Sequence, residues 1–91
     1  MRYELLATGR FKKDLKAMTK RGYDIGLLEG VVDLLLSGEP LSLKYRDHPL
    51  GGNWQNHREC HIAPDWLLIY KIEKDVLVLV LTRTGTHSDL F

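Results

Sequence analysis

All four histidines of this 91-residue chain lie in its second half, with carboxylates among them. Imidazoles change charge between about pH 5 and 8, so several of them beside carboxylates can take up and release protons at neutral pH. This combination of residue types predicts a site for general acid–base catalysis. Its candidate members are His48, His57, Glu59, His61, Asp65 and His87.

Residues 53–70 read NWQNHRECHIAPDWLLIY and supply most of these side chains. Successive side chains of a strand point to opposite sides, so the alternation of the first half predicts a strand with two different faces. One face would carry Gln55, His57, Glu59 and His61; the other would carry Trp54, Asn56, Arg58, Cys60 and Ile62. Residues 63–65 predict a turn, and the apolar residues 66–72 predict the buried second strand of a hairpin.

Known metal motifs do not fit this segment. The metalloprotease motif His-Glu-x-x-His must lie on a helix, whereas HRECH has its Glu one position later and alternates like a strand. The deaminase pattern His-x-Glu occurs at 57–59 but lacks the later Pro-Cys-x-x-Cys. We therefore expect no metal and no cofactor. Cys60 shares its predicted face with Ile62, so we expect a core thiol and not a nucleophile.

Length and composition favour a single soluble domain spanning residues 1–91. The contents of 44% hydrophobic and 27% charged residues are ordinary for a globular protein and argue against disorder. The N-terminus has no apolar signal region, no apolar run approaches the ~20 residues of a membrane span, and the single cysteine favours a reducing compartment. We expect a cytoplasmic protein that does not bind membranes.

Positive charge is concentrated at the N-terminal end, where residues 1–21 carry seven Lys or Arg against two acidic residues. Lys12, Lys16 and Lys20 recur at helical spacing, with Lys13 beside them. Such a stripe can attract a polyanion, although a solvated helix face is the alternative.

The order of predicted elements is β-α-α-β-β-β. Residues 3–7 can form a strand, Thr8 can cap a first helix, Gly22 can end it, and residues 24–36 predict a second helix. A polar connection over 41–52 lacks regular structure in this prediction, and residues 76–83 predict a strand buried on both faces. We expect an α+β fold with a helical hairpin on one face of a largely antiparallel twisted sheet, and a C-terminal tail that docks on it.

A metal-free set of histidines and carboxylates, with Arg83 as a cation and a basic helix, suits transesterification of RNA. The ribose 2′-OH is itself the nucleophile, so the protein need only remove its proton, stabilise charge on the phosphate and protonate the departing 5′-oxygen. Two proton-transfer groups and one cation suffice for this chemistry.

The strings KYRDHPLGGNW, RECHIAPDWLLIYK and RTGTHSDLF resemble the YafQ branch of the RelE/ParE toxin superfamily, the small toxins of bacterial type II toxin–antitoxin pairs. The resemblance covers essentially the whole chain, with the motifs in the right order and spacing. It implies a RelE-like fold and a ribosome-dependent mRNA endonuclease that inhibits translation by cutting in the A site, needs no metal and leaves a 2′,3′-cyclic phosphate. It also implies an antitoxin that wraps the toxin, and a toxin–antitoxin complex that binds operator DNA.

The resemblance places the family's active-site set on His48, Glu59, His61, Asp65, His87 and Phe91. The family has Asp at the position of Glu59, so the carboxylate side chain here is longer by one methylene. The roles we expect are a general acid for His87, a general base for either His61 or His48, and an imidazole-orienting carboxylate for Asp65. Arg83 would hold phosphate charge and Phe91 would stack on a base, with closure of the core edge as the alternative for Phe91.

Two alternatives remain open from the sequence. The gyrase-inhibiting branch of the same superfamily shares the fold but has no need of the histidine and carboxylate cluster. A non-catalytic module that binds RNA or a partner protein would tolerate replacement of His48, His61 and His87.

Overall fold

A five-stranded sheet carries two long helices on one face in the computed structural model, which describes residues 3–91. Arg2, one of the basic residues counted above, lies outside the described residues. The elements in chain order are β1 (Glu4–Ala7), α1 (Gly9–Lys20), α2 (Ile25–Leu36), β2 (His48–Pro49), β3 (Arg58–Ala63), β4 (Trp66–Glu73), β5 (Val78–Gly85) and α3 (His87–Leu90). The α+β class, the helical hairpin and the hairpin of β3 and β4 are as the sequence predicts.

The sheet order is β1-β5-β4-β3-β2. The last strand of the chain, β5, therefore lies between the first strand and β4. It pairs in parallel with β1 and antiparallel with β4, and every other pairing is antiparallel.

Local capping signals set the bounds of the two long helices. The Thr8 side chain accepts a hydrogen bond from the Phe11 amide at 3.0 Å, and the Asp24 side chain accepts one from the Gly26 amide at 3.0 Å. Both satisfy amides that a helix leaves free at its first turn. Gly22 follows α1 with φ of +87°, the left-handed conformation expected of a helix-ending glycine.

The main core lies between the helices and one face of the sheet. Its buried members are Phe11, Met18, Leu28, Val31, Val32, Leu35, Leu36, Cys60, Ile62, Trp66, Leu68, Tyr70, Leu79 and Leu81. Burying each large apolar side chain contributes about 1.5–3 kcal/mol to folding. Burial raises the pKa of Cys60 to about 12, so it is the protonated core thiol that the sequence predicts.

The predicted alternation over residues 54–62 is wrong in its first half. Asn56 has φ of +67°, which breaks the extended chain, and β3 begins only at Arg58. His57 consequently does not join Glu59 and His61 in one strand row. Trp54 packs with Leu67 on the face opposite the main core, and not with Cys60.

The last strand differs from the sequence prediction in its start and in its burial. The last strand begins at Val78, because Leu77 has φ of +54° and the exposed Val76 belongs to the preceding turn. Its inward residues Leu79 and Leu81 are buried, whereas residues 78 and 80 are only half-buried, so burial is not complete on both faces.

The connection over 41–52 is more regular than predicted. It contains a 3₁₀ turn, Leu43–Tyr45, and the short strand β2, which pairs His48 with Glu59 and Pro49 with Arg58. A proline is tolerated here because β2 is at the edge of the sheet, where an amide donor is not required on the outer side.

Across residues 3–91, the longest helices have 12 residues, and none has the length and apolar character needed to cross a bilayer.

Candidate active site

The candidate site lies on the sheet face opposite the two long helices. Leu67 and Ile69 of β4 are buried on this face together with Leu90 of α3, and Leu50 and Trp54 pack against them. Glu59 and His61 are the cross-strand neighbours of Ile69 and Leu67, so their side chains stand on this small apolar floor.

Glu59 is the centre of the site and is only 4% exposed. Its Oε1 lies 3.6 Å from His48 Nε2 and 3.7 Å from His61 Nε2. β2 brings His48 to this position because it is paired directly with Glu59. One carboxylate oxygen therefore faces two imidazoles from different segments of the chain.

His48 is oriented by the backbone of the preceding turn. Its Nδ1 lies 2.7 Å from the carbonyl oxygen of Arg46, which can only accept, so Nδ1 donates and Nε2 is directed toward Glu59. Arg46 itself has φ of +50°, a left-handed conformation that is uncommon outside glycine. The sequence alone gives no signal for this backbone contact.

His87 is held by Asp65 across the end of the β3–β4 hairpin. Its Nδ1 lies 2.9 Å from Asp65 Oδ1, and its amide donates to the same oxygen at 3.2 Å. These bonds from His87 hold the pKa of the Asp65 carboxyl below its ordinary value. The His87 ring lies 5.8 Å from the His61 ring and 6.4 Å from the ring of Phe91, which is 62% exposed.

The short helix α3 fixes where His87 stands. Thr86 and Asp89 form a capping box, in which the Thr86 side chain accepts from the Asp89 amide and the Asp89 carboxylate accepts from the Thr86 amide. Asp89 also accepts from Arg21 at 2.8 Å. The Thr86 amide first and Arg21 second lower the pKa of Asp89 to about 2.

Six predicted site residues thus form one cluster drawn from four segments of the chain. They are His48, Glu59, His61, Asp65, His87 and Phe91. The arrangement offers two imidazoles beside Glu59 and a third beside Asp65, and such groups can remove one proton and deliver another.

The same cluster has donor geometry that suits a metal ion. Glu59, His61 and His87 each offer one ligand atom, and these atoms lie within 4.8 Å of one another. Carboxylate oxygen and imidazole nitrogen are donors suited to a transition-metal ion such as Zn²⁺. The sequence motifs did not reveal this set, because His87 is far from the other two residues along the chain.

Arg83 is bonded to α1 and not to the imidazoles. Its Nε and Nη2 each donate to Asp14 at 2.9 Å, and this hydrogen bonding raises the pKa of the guanidinium. Two of the guanidinium nitrogens are therefore engaged by Asp14. Its contribution to phosphate binding stays a prediction.

The predicted ribosome-binding lysines, Lys12, Lys13, Lys16 and Lys20, are all exposed on α1. Within residues 3–91 none of them forms an ion pair. His57 is outside the cluster, with its Nδ1 3.0 Å from the Gln55 carbonyl oxygen and its ring edge-on to Trp54.

The support beneath His48 was not predicted from the sequence. The carboxylate of Asp47 accepts from Arg58 at 3.2 and 3.3 Å and from the Tyr70 hydroxyl at 2.5 Å. Burial, followed by the bond to Asp47, raises the pKa of Tyr70. Arg58 was the one sequence signal for this support. Its charged side chain was predicted on the same face as the core residue Cys60, and a charge placed there requires a partner.

The chain is similar to known proteins over its whole length. The family profile described as "Bacterial toxin of type II toxin-antitoxin system, YafQ" matches residues 3–91. The mRNA interferase toxin YafQ of Escherichia coli strain K12 is 42% identical over 85 residues, which cover 92% of this chain and 90% of that relative.

Solved structures agree with that similarity. The metal-bound toxin from Helicobacter pylori superposes with a TM-score of 0.91 at 46% identity, covering 98% of this chain and 99% of that chain. A chain of the E. coli DinJ-YafQ complex superposes with a TM-score of 0.90 at 40% identity, covering 98% of each chain.

Proposed function

The chain belongs to the YafQ family of toxins from bacterial type II toxin–antitoxin systems, and we propose that it cleaves mRNA on the ribosome by metal-independent acid–base catalysis. As a member of this family it is a toxin and an endoribonuclease. The observation that carries the proposed mechanism is the spacing of His48, His61 and His87 around the carboxylates of Glu59 and Asp65.

In the proposed reaction the ribose 2′-OH attacks the adjacent phosphorus. The 2′-O–P bond forms, the bond from phosphorus to the 5′-oxygen breaks, and the products carry a 2′,3′-cyclic phosphate and a 5′-hydroxyl. His61 or His48 takes the 2′-OH proton, and His87 protonates the 5′-oxygen. Each proton transfer contributes about 10²–10⁴-fold in rate.

In this proposal the remaining site residues orient an imidazole, stabilise charge on the phosphate and stack on a base. Asp65 fixes the His87 ring through Nδ1, so that Nε2 faces the departing oxygen. Arg83 stabilises charge on the phosphate through Nη1, since Nε and Nη2 are bonded to Asp14. The exposed ring of Phe91, beside His87, stacks on a base.

The proposed partners are the ribosome with its mRNA, and an antitoxin. The E. coli DinJ-YafQ complex is the support for an antitoxin. The four exposed lysines of α1 are the proposed contact to ribosomal RNA. Operator DNA would be bound only through the toxin–antitoxin complex, and we place this reaction in the cytoplasm.

Metal independence needs its own test, because Glu59, His61 and His87 can also hold a cation. A bound cation would occupy imidazole nitrogens that the proton transfers require. A phenanthroline chelator, which removes transition metals but leaves ribosomal Mg²⁺, should not change the cleavage rate. Inhibition by the chelator would overturn metal independence.

The decisive experiment compares His87→Gln with His57→Gln, the same chemical change at a histidine outside the cluster. Purified variants are added to programmed ribosomes, and mRNA 5′ ends are mapped. We expect codon-phased cuts from the unaltered protein and from His57→Gln, and a rate at least about 10²-fold lower for His87→Gln. If His48→Gln, His61→Gln and His87→Gln all cleave as fast as the unaltered protein, the imidazoles do not carry the reaction and the acid–base mechanism is overturned.

A further inference from the structure

A groove lies between α2 and the end of β3, on the helix-bearing side of the sheet, and His61 is one of its lining residues. It has a volume of about 530 Å³ and is bounded by α2, by the Leu43–Tyr45 turn and by the end of β3. Pockets that bind small ligands have volumes of about 300–1,000 Å³, so the groove can receive a nucleoside.

The groove has the chemistry of a surface for single-stranded RNA. Lys44 and Arg46 stand at its rim, and no Asp or Glu is among its lining residues. Both cations are exposed, and within residues 3–91 neither forms an ion pair. Cations that have no acidic partner can contact phosphates without first breaking an ion pair.

An aromatic ring completes this surface. Tyr45 lines the groove, packs against the main core on its inner side, and has Lys44 Nζ 5.0 Å from its ring centroid. A fixed aromatic ring beside basic side chains is the arrangement on which unpaired bases stack. The floor of the groove is apolar, with Val31 and Ile62 among its residues.

We propose that this groove holds the nucleotide on the 5′ side of the scissile phosphate, with Tyr45 stacking on its base and Lys44 and Arg46 contacting the adjoining phosphates. The inference rests on the proposed function and adds a direction to it. The general base, His61 or His48, acts on the ribose 5′ of the cut, and His61 is the residue that the groove and the catalytic cluster share. The 3′ nucleotide would then lie toward His87 and Phe91, which are not among the lining residues of the groove.

The test uses ribosomes programmed with mRNAs that vary the nucleotide on either side of the cut. Lys44→Gln/Arg46→Gln should raise KM about 10-fold on every mRNA, leave kcat within about 3-fold and make binding less dependent on salt. Tyr45→Leu should lower cleavage about 10-fold and change the preference only for the 5′ nucleotide. Phe91→Leu should change the preference only for the 3′ nucleotide.

Lys74→Gln is the matched control, because it removes a lysine in the turn beyond the far end of β4. It should leave both preferences and KM unchanged. If Tyr45→Leu does not fold, as judged by circular dichroism, the KM of the Lys44→Gln/Arg46→Gln variant alone tests the groove.

The outcomes separate the groove from the proposed function. Unchanged KM and unchanged 5′ preference in the groove variants, with normal cleavage by the unaltered protein, overturn the groove and leave the function in place. A change in the 3′ preference from the groove variants overturns the direction of the RNA. Absence of cleavage by the unaltered protein overturns both.

Discussion

At the scale of single residues, the site depends on carboxylates that each engage more than one partner. Glu59 Oε1 faces His48 and His61 together, and Asp65 Oδ1 accepts from both the ring and the amide of His87. Asp47 does the same beneath His48, where it joins Arg58 to Tyr70. A change at any of these three positions therefore disturbs more than one interaction.

Asp47→Asn should destabilise the protein by about 1–3 kcal/mol, because it removes the charge bonded to the partly buried Arg58 guanidinium. It should also slow cleavage, because the residue that precedes His48 loses its anchor. Tyr70→Phe is the matched control, since it removes one hydrogen bond to Asp47 but keeps the Arg58 pair. Urea denaturation and the cleavage rate on ribosomes measure the two effects. An Asp47→Asn variant as stable and as active as the unaltered protein would contradict this role for Asp47.

At the scale of elements, a helix of only four residues, α3, determines the position of the proposed general acid. So short a helix is not stable by itself. Its capping box, the ion pair from Asp89 to Arg21 of the α1 end, and the burial of Leu90 hold it against the sheet. Asp89 is thus a residue outside the cluster on which the orientation of His87 depends.

Asp89→Ala should lower the free energy of unfolding by about 1 kcal/mol at pH 6, because the capping box and the ion pair are lost. The folded-state pKa of Asp89 is about 2, below the ordinary value near 3.9 of an unfolded Asp. The stabilisation is therefore fully present above about pH 4 and is lost as pH falls through about 2.

Urea denaturation of both proteins at pH 6, 4 and 2 tests this prediction. The difference between the unaltered protein and Asp89→Ala should be constant from pH 6 to 4 and should shrink at pH 2. A difference that does not depend on pH would assign the effect to side-chain packing alone.

The sequence predicts those elements whose signals are local. Thr8, Gly22 and Asp24 bound the helices because each acts on residues within one turn of itself. The convergence of His48, His61 and His87 is visible only with the family resemblance, since three distant segments supply them. The start of β3 could not be predicted, because the left-handed Asn56 overrides an alternation that fits a strand.

The bonding of Arg83 to Asp14 is a second feature that the sequence did not predict. Its partner Asp14 is 69 residues away in the sequence, on a helix that the apolar stripe predicts but does not orient. The same limit applies to the support of His48, where Asp47 and Tyr70 are separated by 23 residues. Polar contacts between distant segments depend on register and packing, which periodicity does not specify.

At the scale of the whole molecule, the basic stripe of α1 and the imidazole cluster lie on different elements. The exposed lysines of α1 belong to the helical layer, whereas the imidazole cluster is on the opposite face of the sheet. In the proposed function, the first surface binds the ribosome and the second cuts the mRNA.

Replacement of Lys12, Lys13, Lys16 and Lys20 by Gln should weaken ribosome binding and reduce its salt dependence, with the slope falling by up to about 0.7–0.9 for each phosphate that these lysines neutralise. Lys71→Gln/Lys74→Gln, which removes lysines around the far end of β4, is the control. Sedimentation with ribosomes at several salt concentrations gives both slopes. Equal slopes for the two variants would mean that the α1 lysines are only solvated and do not contact the ribosome.

The central place of β5 in the sheet also constrains how the protein assembles. Within residues 3–91, β1 pairs only with β5, and 70 residues of sequence separate the two strands. Pairings between such distant segments are slow to form, since a long loop must close before the two strands can meet. A partly synthesised chain without β5 consequently has neither a complete sheet nor a site, and a cell making this toxin is exposed to its activity only once the final strand is inserted.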